Sequence, residues 1–143
     1  MKVNIKKLDE NAVIPKYQIE GAACFDLVAT SMEVLNYGKL IKYGVGLAFE
    51  IPKGYKGLIY PRSSIVKTGL RMGNSVGVID HGYNGEVAFV FDVVGDIKDY
   101  HYKVGDRIGQ MEIVPVLQVE LTEVETLEET KRGSGAYGST GIK

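Results

Sequence analysis

A chain of 143 residues is the size of one ordinary domain and can bury a real core. With 45% hydrophobic and 24% charged residues it reads as globular rather than disordered. A net charge of −1 excludes a general pull toward nucleic-acid backbones or anionic membranes, so any phosphate chemistry must rest on a few placed groups.

Residues 1–8 alternate charged and apolar side chains and lack the apolar core of a signal peptide, and no run is long enough to span a bilayer. The single cysteine, Cys24, excludes an internal disulfide and a cysteine-rich zinc site and fits a reducing compartment. The expectation is a cytoplasmic protein with no nucleic-acid and no membrane partner. Residues 45–51 form the first clear strand candidate, followed by a turn at Pro52-Lys53-Gly54 and an alternating strand over 55–60. Residues 73–85 hold two apolar stretches around small residues, which predicts a hairpin. Asn84-Gly85 is a strong tight-turn signal of the hairpin kind, leading into a β-branched and aromatic strand over 86–94. A third run covers 107–119. Beyond it, Leu121, Val124 and Leu127 fall at helix-like spacing, although the Thr and Val content suits a strand or extended arm equally. The 18 glycines are spread through the chain and leave little room for long helices. Neither a repeat nor an interdomain linker is visible, and the fold class expected is all-β.

Residues 131–143 differ from the rest. They carry four glycines, Gly133, Gly135, Gly138 and Gly141, and almost no apolar side chains. A frayed terminus is one reading. The other starts from Arg132 and the run Gly138-Ser139-Thr140-Gly141: glycines allow close backbone approach to an anion, hydroxyls and N–H groups donate to it, and a guanidinium adds charge. Tyr137 is available as a flat lid.

The chemistry is narrowed by what is missing. The sequence has no G-x-x-x-x-G-K-[ST] loop and no G-x-S-x-G elbow, and its two histidines, His81 and His101, lack metal-ligand spacing. Hydrolysis would therefore use a water activated by a carboxylate, with magnesium carried in on substrate phosphates. Pro61-Arg62-Ser63-Ser64 ends a strand candidate and offers a forked cation and two hydroxyls in one turn; a serine-capped short helix is the structural alternative. Asp80, after Val78-Ile79, stands where a strand ends, a place that suits a catalytic carboxylate or a turn residue. Tyr83 is either core or a platform for a sugar.

Five stretches, in order, resemble the five motifs of the trimeric deoxyuridine triphosphate nucleotidohydrolase (dUTPase) family. They are Ala22-Ala23-Cys24-Phe25-Asp26-Leu27, Pro61-Arg62-Ser63-Ser64, the run 77–85 around Ile79-Asp80, Gly105-Asp106-Arg107-Ile108-Gly109-Gln110, and the run 132–141. The resemblance covers nearly the whole chain. It implies a distorted jelly-roll-like β-barrel of the β-clip type over 1–130, with a mobile C-terminal arm over 131–143 that closes on a neighbouring subunit of a homotrimer. It implies splitting of dUTP into dUMP and pyrophosphate with Mg2+, which keeps uracil out of DNA and supplies dUMP for thymidylate synthesis. In this resemblance Asp80 contacts the 3′-hydroxyl and orients the attacking water. Tyr83 packs under the sugar and excludes a 2′-hydroxyl. Uracil is read by backbone groups at Asn74, Val78 and, opposite, Ala88, with Ile79 beside them. Arg62, Ser63, Ser64 and Gln110 match phosphate contacts, and Asp26 matches a carboxylate that holds a magnesium-bound water. Arg132 meets the γ-phosphate, Tyr137 stacks on uracil, and Gly138, Ser139 and Thr140 contact the terminal phosphates. Asp106 and Arg107 match structural positions.

Four positions depart from the family pattern: Gly82 at an acidic position with His81 before it, Tyr137 for phenylalanine, Ala136 for glycine and Cys24 for glycine. Two alternatives to the hydrolase are a regulatory dUTP-binding module of the same fold and a relative of dCTP deaminase. The deaminase needs a catalytic glutamate where this chain has Val90, which cannot shuttle protons.

Overall fold

The computed structural model describes residues 1–94 and 101–136. In chain order its strands are β1 (Asn4–Lys7), β2 (Phe25–Val28), β3 (Ser31–Leu35), β4 (Leu40–Gly44), β5 (Leu47–Glu50), β6 (Tyr55–Pro61), β7 (Leu70–Met72), β8 (Gly77–Ile79), β9 (Ala88–Val93) and β10 (Arg107–Pro115). Two short 3-10 turns, Asn36–Gly38 and Ser63–Lys67, are the only helical elements among the described residues. None is long and apolar enough to cross a membrane.

The strands form two four-stranded sheets, β2-β10-β6-β8 and β3-β4-β9-β7, and a two-stranded ribbon β1-β5. Every pairing is antiparallel. This is the expected all-β, jelly-roll-like architecture, and the side-chain alternation explains it. Along β6, Gly57 and Ile59 are buried while Leu58 and Tyr60 on the opposite face are not. Along β9, Phe89 and Phe91 are fully buried, with near-parallel rings 6.1 Å apart. Tyr43, Ile41, Leu27, Ile108 and Met111 complete the core between the sheets. Each such side chain contributes about 1.5–3 kcal/mol by leaving water. Among the described residues no polar or charged residue is buried with the core, so apolar packing sets the sheets and frees the polar groups for their outer faces.

Four local expectations are corrected, and the alternative left open at 121–127 is resolved. Residues 73–85 are not one hairpin: they hold a single strand, β8, which pairs with β6, and they follow β7, which pairs with β9, so the segment carries the chain from one sheet to the other. The tight turn lies at Asp80–Tyr83, closed by Tyr83 N–H donating to Asp80 O at 3.2 Å, rather than at Asn84-Gly85. Gly82 takes φ +87 there, a left-handed value that glycine adopts freely. The strand expected over 86–94 begins at Ala88, because 86–87 are held by residues 45–47. The run 107–119 stops at Pro115, which lacks the N–H to extend the ladder. Residues 121–127 form no helix. Leu121 and Leu127 are 90% and 85% exposed, so no packed face rewards a helical turn.

Candidate active site

The outer face of sheet β2-β10-β6-β8 gathers one group of candidate residues. The register aligns Asp26 on β2 with Gln110 on β10, and Gln110 with Tyr60 on β6. Arg62 follows the end of β6. It donates its Nε to Asp26 Oδ1 at 2.8 Å, and Arg107 donates Nη1 to Asp26 Oδ2 at 3.2 Å. Gln110 Nε2 donates to the Pro61 carbonyl at 3.0 Å, which holds its side chain beside Arg62. Asp26 is thus the shared acceptor of two guanidiniums that both keep further N–H donors.

A β-bulge makes this grouping possible. Arg107 pairs with Val28 and Gly109 with Leu27, so the register slips between them. Three residues apart, Arg107 and Gln110 would face opposite sides of a regular strand. The bulge spends the extra residue, Ile108, on the core side and turns both polar side chains to Asp26's face. Gly109 admits the Phe89 ring, which a Cβ at that position would strike.

The chain then turns through Ser63–Lys67. The serines do not cap this turn: its N-cap position is Arg62, in an extended conformation and without a side-chain cap bond. Ser63 is exposed, and Ser64 Oγ lies 3.4 Å from Tyr102 Oη. Arg62, Ser64, Lys67, Tyr102, Asp106 and Arg107 line one cleft of about 460 Å³. Lys67 and Tyr102 were not singled out by sequence. Tyr102 follows the undescribed residues 95–100 in no strand, so no pattern marks it.

Cys24 and Glu112 extend this face. Tyr60 donates its hydroxyl to Glu112 Oε1 at 2.6 Å, and that bond, above all, pushes the Tyr60 phenol up to about 12. Burial, followed by the charges of Glu112 and Asp26, raises the Cys24 thiol as well, which keeps it protonated and unreactive near neutrality.

Asp80 and Tyr83 stand elsewhere. Ile79 pairs with Gly57, so Asp80 lies past that end of the β6 pairing while Arg62 lies past the other. From Gly57 to Arg62 is roughly 17 Å along the strand at the usual rise per residue. Asp80 and His81 line a separate cleft of about 430 Å³ with Lys53, Tyr55, Lys56 and Gln118. His81 Nδ1 sits 2.7 Å from the Ile51 carbonyl, which ties the turn to the 52–54 loop. Val78 is 56% exposed on β8. Asn74 is exposed after β7, where Gly73 N–H donates to Val90 O at 2.9 Å and carries the chain along β9 toward Ala88. Arg132 is exposed and donates its Nε to Gly135 O at 3.2 Å. Tyr137, Gly138, Ser139 and Thr140 lie outside the described residues.

No group of three or more His, Cys, Asp or Glu able to cage a metal ion occurs among the described residues. Asp26 remains compatible with a water-mediated role, since each of its oxygens accepts one arginine N–H and keeps lone-pair capacity.

The comparisons with known proteins agree on one family. The dUTPase family profile matches residues 10–141. The deoxyuridine 5′-triphosphate nucleotidohydrolase of Hydrogenobaculum sp. is 41% identical over 100% of both chains, and that of Nautilia profundicola is 42% identical over 99% of both. Among solved structures, a dUTPase of Staphylococcus bacteriophage 80alpha with dUpNHpp superposes with TM-score 0.83 at 28% identity, covering 99% of each chain. A dUTPase from phage phi11 of S. aureus, described with a structural Mg(II) ion, superposes with TM-score 0.76 at 25% identity over 90% of this chain and 100% of that one. The chain belongs to the dUTPase family.

Proposed function

We infer that this protein is a dUTP diphosphatase, which hydrolyses dUTP to dUMP and pyrophosphate. The observation that carries the mechanism is the separation of its groups along β6. A cation–carboxylate cluster built for phosphate stands at one end, and a carboxylate with an aromatic ring beside it stands at the other.

Arg62, Ser63, Ser64 and Gln110 hold the phosphate chain, with Asp26 fixing the fork of Arg62 so that its remaining N–H groups face the anion. Magnesium, when bound on the triphosphate, neutralises phosphate charge, and Asp26 would hold it through water. Asp80 orients a water and accepts its proton as the oxygen adds to phosphorus, and pyrophosphate departs. Tyr83 walls the sugar and leaves no space for a 2′-hydroxyl. Backbone groups at Asn74, Val78, Ile79 and Ala88 read uracil, since fixed donors and acceptors leave a wrong base with unpaired buried groups. Arg132, Tyr137, Gly138, Ser139 and Thr140 close over the bound nucleotide and exclude water.

A general base must come within about 3 Å of the proton it takes. Asp80 and Arg62 of one chain are too far apart to serve the same phosphate, so the working site joins Asp80 of one subunit to the Arg62 cluster of another. A closed homotrimer provides three such junctions. The exposed, unpaired stretch from Leu117 to Leu127 supports association, because five apolar side chains there are 57–90% exposed. The free thiol of Cys24 and the mild net charge fit the cytoplasm. Val90, on β9, brings no proton-transferring group and speaks against deamination.

The test is pyrophosphate release with magnesium from dUTP, run beside dCTP, dTTP and UTP. The expected result is rapid release from dUTP alone. No release from a folded oligomer that still binds dUTP would replace the enzyme with a regulatory binding module.

A further inference from the structure

Tyr83 is 45% exposed, so packing alone does not fix the plane of its ring. Two contacts do. Its hydroxyl donates to the Glu86 carbonyl at 3.0 Å. Its ring lies on the backbone of Gly85, where an added Cβ would stand 2.5 Å from Oη and 2.6 Å from Cζ. Both contacts depend on where the 85–87 backbone sits, and the Glu86 side chain anchors it. Glu86 Oε1 accepts the Gly46 N–H at 2.8 Å. The next residue is stapled to the same strand region: Val87 N–H donates to Leu47 O at 2.9 Å, and Val45 N–H donates to Val87 O at 3.2 Å. Gly44 leaves the room this carboxylate occupies, because a Cβ there would strike Glu86 Oε1 and come 2.6 Å from Ser31 Oγ. An exposed aromatic ring is thus connected, through one carbonyl and one carboxylate, to the buried β4–β5 region.

We propose that Glu86 is a positioning residue for sugar selection: by anchoring on Gly46 it fixes the carbonyl that holds the Tyr83 hydroxyl, and the bare Gly85 lets the ring lie flat where a 2′-hydroxyl would need space. This rests on the reading of Tyr83 as the wall of the sugar pocket. Glu86 touches no substrate. Its effect is on discrimination, since a ring free to tilt still supports the deoxyribose but no longer excludes the ribose.

The experiment measures kcat/KM for dUTP and for UTP in the full-length oligomer and follows their ratio. Glu86→Ala and Gly85→Ala are expected to lower that ratio by about tenfold, largely through improved use of UTP. Glu86→Gln keeps an oxygen acceptor for the Gly46 N–H and is expected to hold the ratio near the parent value. Tyr83→Ala is the control on the underlying reading. If it leaves the ratio unchanged, Tyr83 does not select the sugar and the proposal falls with that reading. If Tyr83→Ala collapses the ratio while Glu86→Ala and Gly85→Ala preserve it, or lower activity on both nucleotides equally, the sugar-wall reading stands and the role of Glu86 is overturned. Should Glu86→Ala fail to fold, Gly85→Ala decides the matter.

Discussion

Asp26 and Arg62 meet at 2.8 Å, and the second oxygen of the same carboxylate takes Arg107 at 3.2 Å. Asp26 is only 12% exposed and Arg62 28%, so water screens the pair incompletely. Asp26→Asn replaces one carboxylate oxygen by an amide nitrogen and removes the charge, so one guanidinium loses its acceptor and the other is held only by a neutral oxygen. We predict a rise in KM for dUTP of about tenfold and a smaller loss in kcat, because positioning of the phosphate chain suffers before water activation does. The fold should weaken by about 1–3 kcal/mol, since one cation loses its acceptor and the other loses the charge that held it. Steady-state kinetics and urea titration separate the two effects. An unchanged KM would remove the cluster from phosphate binding.

Gly82, where the motif resemblance implies an acidic residue, takes a φ of +87 that glycine adopts without strain. Nothing lies within 4 Å of a Cβ built there, so a side chain would meet backbone strain rather than a clash. Gly82→Asp is expected to reduce stability by about 1 kcal/mol and to leave dUTP turnover within about twofold. Thermal melting and pyrophosphate release check this. A large gain in turnover would show that the missing carboxylate belongs to the chemistry.

Tyr43 is fully buried and donates its hydroxyl to the Tyr102 carbonyl at 2.8 Å. Burial first, then the nearby Asp106 and Tyr102, pushes its phenol up from 10.0 to about 12. A pKa raised on folding means the native state holds its proton more tightly than the unfolded chain does. The associated stability is complete below pH 10 and is lost as pH rises toward 12. Tyr43→Phe should therefore flatten the alkaline part of the stability profile while weakening the fold at neutral pH through loss of the hydrogen bond. Urea midpoints across that range test it, and an equally steep alkaline decline in the variant would contradict it.

Much of the fold could be read from local pattern, because local pattern is what burial acts on. The alternation over 55–60 became β6, and the aromatic run became the core of β9. What escaped the sequence were relations between distant segments. Asp26 and Arg107 stand 81 positions apart, and only the bulge at Ile108 turns Arg107 to Asp26's face. A register slip belongs to a strand pair, so neither strand's sequence shows it. Asn84-Gly85 carries a strong hairpin signal, yet the stretch serves as a crossing between sheets because Glu86 is captured by Gly46 and Gly85 underlies Tyr83. The candidate residues were recognisable by motif, but their division between the two ends of β6 was not. It depends on β8 pairing with β6 at Gly57.

That division is the centre of the account, and subunit mixing tests it most directly. Asp80→Asn and Arg62→Ala are each expected to lower dUTP turnover by about a hundredfold or more on their own. Unfolded together and refolded as mixed oligomers, the two variants should recover roughly a quarter of the parent activity, because some junctions then pair an intact Asp80 with an intact Arg62 from different subunits. A mixture no more active than its components would mean that both residues act within one chain, and the shared site would be wrong.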